Sequence, residues 1–362
     1  MLPHATSVLA ELGLQDELAK VAVETQEAAF FNRFGQLIYR EPLGRRAGYR
    51  WPQFSIHRGD LQNVLLEAVR RRLGAERLHL GWHCLSFSQS TDDVTLKFAQ
   101  GETISGAAAI ACDGIHSVIR RQLYPGEGEP RYSGVNMWRG VTRWQPVLSG
   151  ATMTRAGWLK TGKLVHYPIR NGIDAQGRQL VNWLWEIETP AYKRWDWNRV
   201  ASVEDFIRDA ESWKFDWLDV PAFFRAADTV LEYPMVDKDP LERWSFGRVT
   251  LLGDAAHPMV PRGSNGAGQA ILDAHGLASY LEKFSDVETA LKAYEAERLA
   301  PTAAVVLENR RNPPDAILRE IYTRTGDRPF ESIESVISQE ELAALSERYK
   351  RVAGYDRQSL QP

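Results

Sequence analysis

Only two cysteines, Cys84 and Cys112, occur in 362 residues, and neither has the close C-x-x-C or Cys/His spacing of a tetrahedral metal site. A reducing compartment fits this usage. Nowhere does the chain hold the roughly 20 consecutive apolar residues that a membrane span requires. The start, Met1-Leu2-Pro3-His4-Ala5-Thr6, lacks the basic and apolar regions of a secretory leader. A cytoplasmic location is expected. Neither charge sign dominates: 44 basic and 47 acidic side chains leave a formal charge of −3, which gives no electrostatic footprint for nucleic acid or an anionic membrane. Internal repeats and low-complexity segments are also missing, and the sequence is silent on oligomeric state.

What remains is an ordinary globular composition, 44% hydrophobic and 25% charged, long enough for two or three domains. Val8, Leu9, Leu12 and Leu14 open a helical pattern that no strand precedes. A hairpin is predicted where 29–32 and 36–39 flank Phe34-Gly35. Leu61, Leu65, Leu66 and Val69 form one stripe of a helix that starts near Arg58 and ends in Arg70-Arg71-Arg72, where cations suit the helix C-terminus. Short strands then lead to the small-residue run 107–112. Nine of the 12 tryptophans lie between 131 and 217, at 138, 144, 158, 183, 185, 195, 197, 213 and 217, and this marks a different kind of domain. From Val236 the pattern is strand, loop and long helix, the helix spanning about 267–283.

The most informative segment is Leu251-Leu252-Gly253-Asp254-Ala255-Ala256-His257-Pro258. An apolar strand that stops at Gly-Asp sets the carboxylate at the C-terminal edge of a parallel sheet, where open α/β sheets bind ligands. There Asp254 has a natural partner in a sugar or polyol hydroxyl. Pro261 and the glycines Gly263, Gly266 and Gly268 then open a helix, so that backbone N–H groups can approach an anionic group at the positive end of the helix dipole. A strand-to-helix loop whose glycines serve only the turn would give the same local pattern.

The full run from Gly247 to Asp273 resembles the second flavin-binding signature of the para-hydroxybenzoate hydroxylase family of FAD monooxygenases. By that resemblance Asp254 bonds the ribityl chain, while Pro261, Gly263, Gly266 and Ala267 lie beside the isoalloxazine. Cys112-Asp113-Gly114-Ile115-His116-Ser117-Val118-Ile119-Arg120 is similar to the family's D-G motif, which implies that Asp113 and Gly114 lie near the FAD pyrophosphate and the nicotinamide nucleotide. Ser55-Ile56-His57-Arg58-Gly59-Asp60-Leu61-Gln62 resembles the helix start whose Arg and Gln, here Arg58 and Gln62, reach the cofactor. Further likeness runs through Trp138-Arg139-Gly140-Val141-Thr142 and Tyr233-Pro234-Met235-Val236-Asp237-Lys238-Asp239-Pro240. Within the family the phenazine-carboxylate hydroxylase branch looks most similar.

The resemblance implies an α/β fold: an FAD-binding Rossmann-like domain (1–130 and 236–300), an inserted mixed β-sheet substrate domain (131–235) and C-terminal helices (301–362). It also implies the reaction, in which NADH or NADPH reduces FAD and one oxygen of O₂ is then placed on a small, electron-rich aromatic or heteroaromatic acid. The cofactor carries that chemistry, so no catalytic nucleophile or base is expected, only a dry pocket and an orienting group. Candidates for the pocket are Trp138, Arg139, His166, Tyr167, Trp183 and Trp185. Trp183 and Trp185 share one strand face, as do Trp138 and Gly140. Each has a structural alternative: tryptophans fill cores, Arg139 suits an ion pair, and a lone strand histidine is usually structural.

Relatives begin with a strand, a G-x-G-x-x-G turn and a helix. Here the sequence starts at a segment that in them follows this unit, so the first βαβ unit, at least ~30 residues, is expected to be missing. An internal methionine start or a truncated gene is the expected cause, and the functional protein is expected to be longer. A truncated, catalytically silent relative acting as a binding protein is the alternative. Trp183-Leu184-Trp185-Glu186-Ile187 also echoes the W-x-W-x-I-P element of flavin-dependent halogenases, but Glu188 stands where the proline belongs.

Overall fold

A computed structural model describes residues 1–190 and 199–360, so Trp195 and Trp197 lie outside the described residues. Contacts divide the chain into two units: Met1–Val64 with Tyr132–Met235 and Asn312–Pro362, and Leu65–Arg131 with Val236–Arg311. This partition differs from the sequence reading, which groups 1–64 with 236–300. The strand Glu27–Phe31 lies parallel to Thr152–Trp158, with Ala29 opposite Thr154 and Phe31 opposite Ala156. That pairing is long-range, and no local pattern announces it. The C-terminal helix Ala316–Thr325 joins the same unit by packing Ile317, Leu318 and Ile321 against Ala28, Phe30 and Ile38.

The first unit is built on an eight-stranded mixed sheet in the spatial order 199–201, 227–237, 131–144, 179–188, 162–170, 152–158, 27–31 and 37–42. Its last two strands form the expected hairpin. Asn32 Oδ1 accepts the N–H groups of Phe34 and Gln36 at 3.0 and 2.9 Å, an Asx turn, and Gly35 takes φ 82°. Strand alternation gives the sheet two unlike faces. Trp183 pairs with Gly140 and His166, and Trp185 with Trp138, so all five residues point one way. That face is covered by Phe206, Trp213, Phe223 and Phe224, and Trp183 and Trp185 are both 0% exposed. Burial of each indole contributes on the order of 4–6 kcal/mol of gross transfer free energy, from ~200 Å² at ~25 cal/mol/Å².

Glycine makes this packing possible. A Cβ on Gly140 would lie 2.5 Å from Trp183 Cζ2, and one on Gly162 would lie 2.1 Å from Trp185 Cζ2. Trp183 Nε1 donates to Thr142 Oγ1 at 2.9 Å, so one indole also satisfies its polar atom inside the core. On the opposite face Arg139, Val141, Tyr167, Leu184 and Tyr233 are only half-buried.

The second unit contains a three-stranded sheet in which Val249–Leu251 pairs antiparallel with Ser245–Phe246 and parallel with Ala109–Ala111. A separate antiparallel sheet is formed by Cys84–Gln89, Val94–Phe98 and Thr103–Gly106. The helices Gly266–Lys283 and Val287–Arg311 supply Leu277, Leu291 and Tyr294 to a core with Val249, Leu251 and Ala111. Lys283 and Arg310-Arg311 close these helices where cations complement the dipole. Among the described residues no helix is long and apolar enough to cross a membrane.

Candidate functional site

In the second unit, Leu251 lies opposite Ala111 in the parallel pair, and Leu252 N donates to Ala111 O at 2.9 Å. The two strands therefore end side by side. The segments that follow them, Asp113-Gly114 and Gly253-Asp254, leave the same carboxyl edge, the ligand-binding edge of parallel sheets. Both turns need glycine, since Gly114 has φ 78° and Gly253 φ 61°. Asp113 then accepts the amide of Val118 at 2.8 Å, and Ser117 accepts that of Arg120 at 2.9 Å, starting the helix Val118–Leu123.

Two buried charged groups hold the Gly253-Asp254 turn. Asp273, 0% exposed, accepts Gly253 N at 3.2 Å through Oδ2, His257 Nε2 at 2.5 Å through the same oxygen, and Arg298 Nε at 2.9 Å through Oδ1. Burial pushes this carboxyl up, but the hydrogen bond from His257 and the charges of His257 and Arg298 outweigh it and hold it below its ordinary value. Arg298 extends the network to Gln269 at 2.6 Å. From the other side, Arg120, 1% exposed, donates through Nη1 to Ala255 O at 2.9 Å and Ala256 O at 2.8 Å. Its Nε and Nη2 grip Glu127, which also pairs with Lys238 at 2.7 Å. The neighbouring Asp237 is held bidentately by Arg310 at 2.7 and 3.0 Å.

Within this scaffold Asp254 itself is exposed. A Cβ on Gly266 would lie 3.8 Å from Asp254 Oδ1, so the carboxylate sits near the first residue of the helix Gly266–Lys283, whose N-cap Asn265 caps no helix amide with its side chain and accepts from Gln269 Nε2 at 3.3 Å. Gly263 turns with φ 83° and is buried, whereas Pro261 and Ala267 are exposed and Gly266 is half-buried. An exposed carboxylate beside the start of a helix on a glycine-bearing loop fits a polyol–phosphate cofactor such as FAD.

Arg58 and Gln62 belong to the first unit. Both are exposed at the start of the helix Arg58–Leu73, and Asp60 anchors this start to Arg170 of the large sheet at 2.6 Å. Arg58 acts electrostatically on Tyr167 of the same unit. Burial raises the Tyr167 phenol above its ordinary value, while the cations Arg139, Arg58 and Arg155 pull it back. Tyr167 lies opposite Asn182, and Asn182 opposite Val141, so these residues share the half-buried face with Arg139.

The six pocket candidates therefore fall on two faces of one sheet. Trp138, His166, Trp183 and Trp185 are buried in the packed aromatic layer, since the alternation that groups them also turns them toward residues 203–225. His166 packs near Trp217 and Phe223, with centroids 5.8 and 5.9 Å away, and burial lowers its pKa to about 3. Arg139 and Tyr167 stand on the other face. Arg139 has no carboxylate partner among the described residues and faces the Tyr233 ring at 6.0 Å. Sequence reasoning missed Asp273 and Arg120 as the anchors of the Gly253-Asp254 turn. Asp273 and Arg120 close the two motif runs; the sequence carries no sign that either is buried.

Residues 227–309 match the FAD binding domain family. The chain is 39% identical over 331 residues to a phenazine 1,6-dicarboxylic acid hydroxylase of Lysobacter antibioticus, covering 89% of this chain and 81% of the relative. It is 30% identical over 362 residues to a 3-amino-4-hydroxybenzoate 2-monooxygenase of Streptomyces cremeus, covering 97% and 84%. Among solved structures, a salicylate hydroxylase substrate complex superposes with TM-score 0.75 at 22% identity, over 100% of this chain and 90% of that one. The Klebsiella pneumoniae HpxO complex with FAD and uric acid gives 0.71 at 23%, over 98% and 82%. At these identities the structural matches establish the fold.

Proposed function

The chain belongs to the FAD-dependent aromatic-ring hydroxylases, and from that premise we propose that it oxidises NADH or NADPH and hydroxylates an aromatic or heteroaromatic acid. One atom of O₂ enters the ring, and the other leaves as water with the two reducing electrons. The observation that carries this reading is the side-by-side ending of the strands Ala109–Ala111 and Val249–Leu251, which sets Asp113-Gly114 beside Gly253-Asp254. FAD, when bound, supplies the hydride acceptance and the oxygen activation.

The residues of the chain would hold, orient and shield. Asp254 would accept ribityl hydroxyls, and the amides around Gly263, Gly266 and Ala267 would face the ring system. Asp113 and Gly114 would border the pyrophosphate, with Arg58 and Gln62 as further cofactor contacts. The substrate would lie on the half-buried sheet face, where Arg139 can take a carboxylate in its planar fork and Tyr167 offers a phenol O–H. The three indoles behind the sheet stiffen the wall and exclude water from that side.

Turnover with isotopically heavy O₂ tests the reading. The product acid is expected to gain one labelled oxygen per NAD(P)H consumed; NAD(P)H oxidation with every candidate acid and no labelled product would contradict it.

A further inference from the structure

Between Gly253 and Ala267 the only lysine or arginine is Arg262. The residue is half-buried, and its Nε and Nη2 are shut off from solvent with no hydrogen-bond partner among the described residues. The other inward-facing guanidiniums of this unit are matched: Arg120 by Glu127 and the carbonyls of Ala255 and Ala256, Arg298 by Asp273 and Gln269, and Arg310 by Asp237 and Asp239. Two dry, unpaired donors on a cation are costly, and an acceptor that the chain itself does not supply accounts for them.

The loop holds Arg262 in place. Pro261 precedes it, its amide donates to Val260 O at 2.8 Å, and Gly263 and Ser264 follow in the left-handed region at φ 83° and 57°. Serine takes that conformation only at a cost, a form of strain that collects at ligand sites. Nε and Nη2 form one edge of the guanidinium and point two parallel N–H bonds the same way, which matches two adjacent acceptors. An isoalloxazine offers such a pair in N1 and the C2 carbonyl oxygen. When NAD(P)H passes a hydride to the neutral ring, two electrons and one proton arrive together, and the ring keeps one negative charge shared between those two atoms. A desolvated guanidinium beside them favours the reduced ring over the oxidised one, because only the reduced ring carries the charge.

We propose that Arg262 grips the N1–C2=O edge of FAD through Nε and Nη2 and raises the reduction potential of the flavin. This deepens the proposed function and rests on its placement of the flavin ring beside the loop.

The test uses the full chain loaded with FAD, titrated with dithionite against an indicator dye and, separately, with sulfite, whose addition also leaves the ring anionic. Arg262→Met is expected to lower the reduced-to-oxidised ratio at a fixed potential at least about tenfold, ~30 mV for a two-electron couple, and to weaken sulfite binding by a similar factor. Arg262→Lys, which keeps the charge but not the fork, recovers part of both losses. The FAD-free Arg262→Met chain unfolds no earlier than wild type, since a buried unpaired donor has been removed. If this variant releases oxidised FAD, separate titrations with oxidised and reduced FAD replace the dye experiment, and a selective loss of affinity for the reduced form is expected. Unchanged potential and sulfite affinity, equal loss of both FAD forms, or a loss confined to benzoate binding, which would give the fork to a substrate carboxylate, overturns the inference. A wild type that retains no FAD overturns both the inference and the placement of the cofactor. The potential shift without oxygen transfer to any acid supports the inference and removes the proposed reaction.

Discussion

Asp273 accepts the ring of His257, Nε2 to Oδ2 at 2.5 Å, and the same oxygen takes the amide of Gly253. A residue on the helix thus fixes both ends of the turn that presents Asp254. Replacing Asp273 with Ala leaves the Arg298 guanidinium and the His257 imidazole buried without their shared carboxylate, which costs about 3–5 kcal/mol in stability. Urea unfolding should register this loss, with Asp273→Asn intermediate. Because the folded carboxyl is held below 3.8, its stabilisation is present above that pH and lost as pH falls through the folded value.

Asp254 is exposed and structurally idle, so Asp254→Ala should leave the unfolding midpoint unchanged. Loss of a hydrogen bond to a charged acceptor is worth about 1.5–3 kcal/mol, or roughly 10- to 150-fold in FAD affinity. Flavin fluorescence titration measures it. A variant that unfolds earlier with unchanged flavin affinity would contradict this division of labour between Asp254 and Asp273.

Gly140→Ala brings a Cβ to 2.5 Å from the Trp183 ring, whose edge is locked by Thr142. Overpacking of this kind costs about 1–3 kcal/mol. Gly140→Ala combined with Trp183→Phe should recover part of the loss in a double-mutant cycle by thermal unfolding.

His166 is neutral in the fold, with its pKa lowered to about 3 by burial, whereas the unfolded chain binds a proton near 6.5. Stability therefore rises with pH between these values and is lost as pH falls through that window. At about 1.4 kcal/mol per pH unit, wild type should lose about 2 kcal/mol more than His166→Phe between pH 7 and pH 5 by urea unfolding.

Local pattern made the hairpin around Gly35, the helix from Arg58 and the strand–loop–helix at Gly253 legible, because turn chemistry and apolar periodicity act over a few residues. Two facts lay beyond it. Trp183 and Trp185 had to share a face, but only the helices of residues 203–225 decide that this face is the closed one. A strand at 29–32 was legible, yet the parallel partner of the observed strand 27–31, at 152–158, is set by the global topology. The anchors at Arg120 and Asp273 are legible as polar residues inside motif runs; their roles depend on carbonyls and charges distant in sequence.

The loop of Gly253 to Ala267 is proposed to hold FAD. Its most direct test is the visible spectrum of the purified chain after addition of FAD and removal of the excess. Retained absorbance near ~450 nm from the bound flavin, lost in Asp254→Ala, is the expected result; wild-type protein that is colourless once the excess FAD is removed would contradict FAD binding at this loop.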